Sequence, residues 1–213
     1  MCDELTEGDL DRAGLPVTRR GFAGLVAVGG AAFAATACAQ GMGDKGKMVT
    51  IATPDGEADA YFTHPSSGKH PAVLIWPDIR GLRPAFRQMA DRLAGEGYAV
   101  LALNPFYRDA KGEVVKPEDD WTQPATRERL FGYAGKLTRE AVARDATALA
   151  AWLDQQKAVD SKRGMGVTGY CLGGPFTIFS AAAVPERYKA CGSFHGSRQS
   201  NDTPTSPHLA IAE

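Results

Sequence analysis

Gly169-Tyr170-Cys171-Leu172-Gly173-Gly174 is the stretch that decides the fold, because it combines a strand-to-helix turn with one thiol at its centre. Glycines lie two positions before and two positions after Cys171, a spacing that lets a strand turn sharply into a helix with the middle residue at the tip. Residues 165–168 predict a short buried strand, and the apolar residues 176–184 predict a helix. The pattern therefore predicts a nucleophile elbow that presents Cys171. The alternative is an ordinary glycine-rich turn that holds a buried cysteine.

Strand and helix patterns alternate along the rest of the chain. The turn tripeptide Pro54-Asp55-Gly56 separates two short strand patterns and predicts an antiparallel N-terminal hairpin. The predicted strands are residues 49–51, 58–62, 72–76, 98–103, 165–168 and 188–194, with 208–212 as the start of one more; the predicted helices are residues 84–96, 126–134, 138–156 and 176–184. This order predicts an α/β fold with a doubly wound, mostly parallel sheet, whose ligand crevice lies at the carboxyl ends of the strands.

Length and composition limit the classes of protein to consider. A chain of 213 residues with 44% hydrophobic and 23% charged residues predicts one globular domain with a hydrophobic core. The net charge is -1, and the basic residues are scattered instead of forming the runs that follow a phosphate backbone. We therefore expect no nucleic acid partner. The chain is also expected to be a monomer, and the substrate expected from the motifs below is a small molecule.

Residues 1–39 have the outline of an export signal. Thr18-Arg19-Arg20-Gly21-Phe22 precedes an apolar stretch rich in Gly and Ala, and no charged residue follows the arginines until Asp44. This stretch is too weakly hydrophobic for a typical membrane span and is typical of a twin-arginine signal, with small residues that allow cleavage before Gln40. The alternatives are an uncleaved anchor or a lipoprotein cysteine at Cys38. We expect export to a bacterial periplasm, with membrane contact only through this segment.

The four cysteines divide between the signal and the folded domain. Cys2 and Cys38 lie in the signal, which leaves Cys171 and Cys191 in the domain. Cys171 is predicted at the end of one strand and Cys191 inside the next, a separation too long for disulfide geometry. Cys191 is expected to be a small buried core residue. No Cys-x-x-Cys sequence is present, which argues against a thiol redox protein.

A thiol at an elbow is suited to acyl transfer. The N-terminus of a helix favours the thiolate through the helix dipole and its backbone N–H groups. Acyl transfer also requires hydrogen-bond donors for the oxyanion that forms on the carbonyl oxygen. The backbone N–H of Leu172 follows the nucleophile directly, and the N–H of Ile79, in the loop after residues 72–76, is the best candidate for the second donor.

Three separated motifs in order resemble those of the dienelactone hydrolase family, which has the α/β-hydrolase fold. They are the elbow, Pro77-Asp78-Ile79-Arg80-Gly81 and Asn104-Pro105-Phe106-Tyr107-Arg108, and the resemblance covers residues 48–213. It implies that the cysteine attacks a lactone or ester carbonyl and that no metal or cofactor takes part.

The resemblance also implies roles for residues outside the elbow. Asp78 matches a carboxylate that meets the resting thiol, although the best-known members of the family have the longer Glu there. Arg108 matches an arginine that binds the carboxylate of the substrate, a contact that a guanidinium can make with two parallel hydrogen bonds. Tyr107 is a candidate for the pocket wall, and His195 for a substrate contact near its mouth. The alternatives are a turn residue for Asp78, a solvated arginine for Arg108 and a core aromatic for Tyr107.

The acid and base that normally complete such a site are not evident in the sequence. In this fold they follow the nucleophile in chain order, and only His195 and His208 follow Cys171. His195 ends the very next strand, which is too early for the base, and His208 is predicted at the start of a strand, which is the wrong end. We therefore expect a chain that lacks its C-terminal portion. The function predicted is a cysteine hydrolase of small esters or lactones; the alternative is a non-catalytic or inactive protein with the same fold.

Overall fold

The computed structural model describes residues 46–116, 119–196 and 198–211, and they are built around one mixed sheet. The strands are β1 (Lys47–Thr53), β2 (Gly56–Thr63), β3 (Ala72–Trp76), β4 (Ala99–Leu103), β5 (Met165–Tyr170) and β6 (Tyr188–Phe194). The helices are α1 (Pro84–Gly95), α2 (Pro124–Ala134), α3 (Arg139–Asp154) and α4 (Gly174–Ala183), with 3₁₀ turns at Cys171–Gly173 and Pro207–Ile211. The signal predicted at residues 1–39 lies outside the described residues.

The elbow follows β5, which lies between β3 and the edge strand β6 of the described sheet. The order of the strands is β1-β2-β4-β3-β5-β6. β2 runs antiparallel to both β1 and β4, and the other neighbouring strands are parallel. The predicted α/β fold with an antiparallel N-terminal hairpin is confirmed. Because β3 and β5 are parallel neighbours, the loop after β3 and the elbow after β5 leave the sheet at the same edge.

Both faces of the sheet carry a hydrophobic core. On one face, α2, α3 and α4 pack against alternate strand residues such as Leu74, Leu101 and Val167. On the other face, α1 packs against the intervening residues, which include Ile75 and Val100. Strands buried on both faces need apolar residues at consecutive positions, which explains why β3 and β4 read as continuous apolar runs.

Helix α3 covers the sheet with the stripe expected from its sequence. Val142, Ala146, Leu149 and Leu153 are all buried, at the helical spacing that places them on one side. The helix begins after Thr138, whose hydroxyl oxygen accepts a hydrogen bond from the backbone N–H of Ala141 at 3.2 Å. Such a cap satisfies one of the N–H groups that the first turn leaves without a partner.

The prediction of a strand at residues 208–212 is wrong, because this segment forms the 3₁₀ turn Pro207–Ile211. The hydroxyl of Ser206 lies 2.7 Å from Nδ1 of His208, and the N–H of Leu209 donates to the carbonyl oxygen of Ser206 at 3.0 Å. These local hydrogen bonds coil the segment, so that its backbone does not extend along a neighbouring strand. His208 therefore does not begin a strand as predicted.

The two cysteines of the domain are free, as expected, but Cys191 is not a core residue. It is exposed, because β6 forms one edge of the described sheet. Its thiol lies 3.6 Å from the carbonyl oxygen of Thr177 in α4, and partial burial there raises the pKa of the Cys191 thiol. Among the described helices, none has the length and apolar character needed to cross a bilayer.

Candidate active site

Cys171 lies at the junction of β5 and α4 in a backbone conformation that side chains seldom adopt. Its φ is +51°, in the left-handed region, and it is one of three described residues other than glycine with positive φ. The 3₁₀ turn Cys171–Gly173 connects the strand directly to the helix, and the residue is partly exposed. Backbone strain of this kind costs free energy and is found at sites where function requires it. The strand-turn-helix geometry of the predicted elbow is therefore present.

Two glycines allow the chain to pack tightly on both sides of the thiol. A Cβ atom added to Gly169 would overlap the carbonyl group of Gly173 and lie 2.9 Å from the side chain of Thr177. A Cβ added to Gly173 would lie 2.7 Å from the carbonyl oxygen of Pro77 and 2.8 Å from Cβ of Trp76. These distances are too short for real carbon contacts, so both positions exclude any side chain while the elbow keeps this shape.

Replacing Gly169 with alanine is expected to lower the free energy of unfolding by about 2–3 kcal/mol, because the new methyl group forces the backbone of Gly173 to move. The matched control is Gly166→Ala on the same strand, where the nearest neighbour of an added Cβ is 3.7 Å away. Urea unfolding of both variants measures the difference. Equal stability of the two variants would contradict the packing described for Gly169.

The end of β3 is held against the helix that begins at the elbow. The indole N–H of Trp76 donates to the hydroxyl oxygen of Ser180 in α4 at 3.0 Å, and its ring meets Phe176 edge-on with 5.4 Å between centroids. Trp76 is fully buried. Because Gly173 packs on Trp76 and Pro77, the loop that contains Ile79 starts beside the turn that contains Leu172. The assignment of their N–H groups as oxyanion donors stays a prediction.

Asp78 is bound within its own loop. Its two carboxylate oxygens accept hydrogen bonds from Arg83 at 2.6 and 2.8 Å, and one of them also accepts from the backbone N–H of Arg80 at 2.9 Å. The carbonyl oxygen of Asp78 accepts from the N–H of Gly81, which closes a turn. This is the turn role weighed for Asp78 from the sequence. Its predicted action on the thiol of Cys171 stays a prediction.

Arg108 and Tyr107 belong to a network of internal ion pairs. The guanidinium of Arg108 donates to Asp55 at 2.6 Å and to both carboxylate oxygens of Asp145 at 2.8 and 2.9 Å. The hydroxyl of Tyr107 donates to Asp145 at 2.6 Å, and the guanidinium lies 4.5 Å above the ring of Tyr107. Asp55 is in the turn of the β1–β2 hairpin and Asp145 is in α3, so the network connects the hairpin, the loop after β4 and a helix.

The carboxyl groups of the network differ in environment. Burial raises the pKa of Asp145, which has no exposed surface, although Arg108 and Tyr107 oppose this effect with hydrogen bonds. Hydrogen bonds from Arg144 and Arg108 lower the pKa of Asp55 at the surface. Arg108 and Tyr107 thus bind protein carboxylates in this structure, which differs from the substrate contacts predicted for them. Binding of substrate by either residue stays a prediction.

His195 follows β6, the strand next to the elbow. It is exposed and has a φ of +55°, in the same left-handed region as Cys171. The residues just before these two, Tyr170 and Phe194, are paired in the sheet, and their rings stack with 5.2 Å between centroids. The structure therefore places His195 at the same end of the sheet as Cys171, as the sequence predicted.

A cavity beside the elbow was not predicted from the sequence. It has a volume of about 440 Å³ and is lined by Leu172 and by apolar residues of α4, among them Phe176 and Phe179. Arg198, the third described residue other than glycine with a positive φ, also lines it. Its walls come from segments far apart in the chain, so no local pattern indicates it. Leu172 directly follows Cys171 in the chain, but Cys171 itself is not among the residues that line this cavity.

The part of the chain that the structure describes contains no group of three or more His, Cys, Asp or Glu side chains arranged to hold a metal ion.

The chain is similar in sequence to carboxymethylenebutenolidases and in structure to a dienelactone hydrolase-like enzyme. The carboxymethylenebutenolidase of Rhodococcus opacus is 30% identical over 140 residues, which is 65% of this chain and 49% of that protein. The carboxymethylenebutenolidase of Pseudomonas sp. (strain P51) is 29% identical over 127 residues, 60% of this chain and 51% of that protein. A crystal structure of a dienelactone hydrolase-like promiscuous phosphotriesterase from metagenomic libraries has a TM-score of 0.55 and 25% identity, and the match covers 72% of this chain and 60% of that one.

The family model and the relatives agree on the extent of the match. The chain spans about half the length of these two curated relatives. The model of the dienelactone hydrolase family matches residues 58–212, which include the elbow, the loop after β3 and the loop after β4. The chain belongs to the dienelactone hydrolase family.

Proposed function

We propose that this protein is a cysteine hydrolase of small esters or lactones that works as a monomer without a metal or cofactor. The observation that carries the proposal is the left-handed backbone of Cys171 at the junction of a strand and a helix. This geometry exposes the thiol at the carboxyl end of the sheet, where ligands of such folds bind. The family membership and the names of the relatives support hydrolysis of a lactone or ester.

The proposed reaction proceeds through an acylated cysteine. The thiolate of Cys171 attacks the carbonyl carbon of the substrate, an S–C bond forms, and the electron pair of the C=O bond moves to the oxygen. The N–H groups of Leu172 and Ile79 donate to this oxyanion. The C–O bond of the ester then breaks and the alcohol leaves. Water attacks the resulting thioester, and cleavage of the S–C bond returns the thiolate and releases the acid.

The acylated cysteine is the most direct test of this proposal. Brief incubation with p-nitrophenyl acetate followed by acid quench should leave an acetyl group on Cys171. Trypsin would place Cys171 on a peptide of residues 164–187 and Cys191 on one of residues 190–198, so mass spectrometry distinguishes the two free thiols. Acetyl on Cys171 in proportion to the burst of nitrophenol supports the proposal. Hydrolysis with acetyl only on Cys191, or no hydrolysis, favours a non-catalytic protein or another nucleophile.

We further propose that the protein is exported by the twin-arginine route, on the basis of the sequence of residues 1–39. Replacing both Arg19 and Arg20 with lysine is expected to keep most of the protein in the cytoplasm of a bacterium that has this pathway, because the arginine pair is the recognised part of the signal. Cell fractionation and immunoblotting measure the distribution. Arg12→Lys, outside the motif, is the control. An equal periplasmic share of both variants would exclude this route.

A further inference from the structure

A groove lies on the face of the sheet that α1 covers only in part. Helix α1 packs mainly over β2 and β4, and the groove runs over β5 and β6 beside it. Leu93 of α1 and Tyr98 are among the residues along one side. Its volume is about 580 Å³, which is within the usual range for sites that bind small molecules. Cys171 is not among the residues that line it.

Small residues form the floor of this groove. Gly166 of β5 is paired with Ala190 of β6, and two residues further on Thr168 is paired with Gly192. Alternate positions of a strand face the same side of the sheet, so these four residues share the face of Val73, which packs in the core under α1. A floor made largely of glycine and alanine leaves a hollow beside α1 that larger side chains would otherwise fill.

The two ends of the groove differ in chemistry. At the carboxyl end of the strands it is lined by Tyr170 and Phe194, whose rings stack, and Phe194 is 55% exposed. At the other end it is lined by Arg163, just before β5, and by Lys189, near the start of β6. The strand between these ends is about 20 Å long. The groove thus joins a positive end to an apolar surface that is open to solvent.

The positive end has no acidic residue beside it. The residues that line the groove include neither Asp nor Glu. Within residues 46–116, 119–196 and 198–211, the side chains of Arg163 and Lys189 form no hydrogen bond or ion pair, whereas the nearby Arg187 is bound to Asp154. The stem of Lys189 lies over Gly164, since its Cγ would be 2.6 Å from a Cβ added there. Two cations are therefore available to one anionic ligand.

We propose that this groove binds a free amphipathic carboxylate with an extended apolar chain. The carboxylate lies between Arg163 and Lys189, where the guanidinium can donate two parallel hydrogen bonds to it. The chain runs over the floor towards Tyr170 and Phe194 and covers their exposed apolar surface. Charge complementarity selects the anion, because a cationic amphiphile would cover the same surface while meeting two like charges. The site is separate from Cys171, and the inference does not depend on the proposed hydrolase function.

Calorimetric titration of the full 213-residue chain with sodium dodecanoate, below its critical micelle concentration, tests the site. We expect one saturable site, with an affinity about 10-fold lower in a variant that carries both Arg163→Gln and Lys189→Gln, because two ion pairs are lost. The matched control carries Lys47→Gln and Arg127→Gln, on β1 and α2. It has the same net charge as the first variant and should bind dodecanoate as the wild type does, within about twofold.

Filling the groove tests where the ligand lies. Ala190 is exposed on the edge strand β6, so Ala190→Trp places an indole over the floor without disturbing the core. Binding of dodecanoate should be lost in this variant. Far-UV circular dichroism confirms that the variant is folded. Because dodecanoate contains no ester, the binding result is independent of whether the chain hydrolyses p-nitrophenyl acetate.

Several results would overturn the inference. They are the absence of saturable binding of dodecanoate, an affinity unchanged by loss of Arg163 and Lys189, and equal affinity for dodecyltrimethylammonium. Binding to phosphatidylglycerol vesicles without binding of monomeric dodecanoate would assign the groove to a membrane surface instead. A dimer in sedimentation experiments that Ala190→Trp dissociates, again without binding of dodecanoate, would assign it to a second copy of the chain.

Discussion

Replacing Cys171 with alanine is expected to lower kcat/KM for p-nitrophenyl acetate by about 10³-fold or more. The alanine side chain keeps the backbone of the elbow and removes only the sulfur that is proposed to form the bond to the acyl group. The N–H groups proposed for the oxyanion would remain, so the activity that is left measures their contribution with that of binding. Steady-state release of nitrophenol by the wild type and by the variant, each compared with the uncatalysed rate, gives the fall in kcat/KM and the residual activity.

The matched control is Cys191→Ala, which removes the other free thiol of the described domain. That thiol lies on the edge strand β6, away from the elbow, and its loss should leave kcat/KM unchanged within about twofold. Cys171→Ser tests the nature of the nucleophile, because a hydroxyl at the same place is much less ionised than a thiol. Full activity of Cys171→Ala, or loss of activity in Cys191→Ala, would exclude Cys171 as the nucleophile.

Replacing Asp145 with alanine is expected to lower the free energy of unfolding by about 3–5 kcal/mol. Asp145 has no exposed surface, and its carboxylate accepts hydrogen bonds from the hydroxyl of Tyr107 and from two nitrogens of Arg108. Without it, the hydroxyl loses one of its two partners and the guanidinium is left with Asp55 alone, at the hairpin turn. Arg108 is partly buried, with only 14% of its side chain exposed, so the loss of its main partner leaves a poorly solvated cation, which is a costly change.

Asp154→Ala provides the control on the same helix. Asp154 also forms two hydrogen bonds with an arginine, Arg187, but its side chain is 31% exposed, whereas that of Asp145 is fully buried. The loss of this more exposed pair should cost about 1 kcal/mol or less. Urea unfolding monitored by circular dichroism measures both variants. Similar losses of stability would show that burial of Asp145 does not have the effect described.

The sequence predicted the elements of this fold closely where the signal was local. The strand predicted at residues 72–76 has the bounds of β3, and that at 188–194 has the bounds of β6. Continuous apolar runs and glycine-rich turns are properties of a few consecutive residues, so they can be recognised without the rest of the molecule. The prediction for residues 208–212 was wrong because the apolar residues there suit a strand, whereas a hydrogen bond between Ser206 and His208 and local turn contacts coil the segment.

The site could be predicted only in part, for a related reason. The elbow is local, and the left-handed Cys171 follows from the small residues on either side of it. The partners of Arg108 are not local, since Asp55 and Asp145 are 53 and 37 residues away in the chain. The exposure of Cys191 likewise depends on which strands flank β6 in space. A motif therefore indicated the candidate nucleophile, but it did not indicate which distant residues bind to one another around it.

The position of Trp76 makes it an intrinsic fluorescence probe of the candidate site. Its indole lies between the end of β3 and helix α4, where it donates a hydrogen bond to Ser180 and contacts the ring of Phe176 edge-on. Trp121 is 40% exposed and Trp152 only partly buried, so replacing these two with phenylalanine would leave the fluorescence of one fully buried indole. Its emission would then report directly on the joint between the two segments proposed to bind the oxyanion, during unfolding and during a catalytic cycle alike.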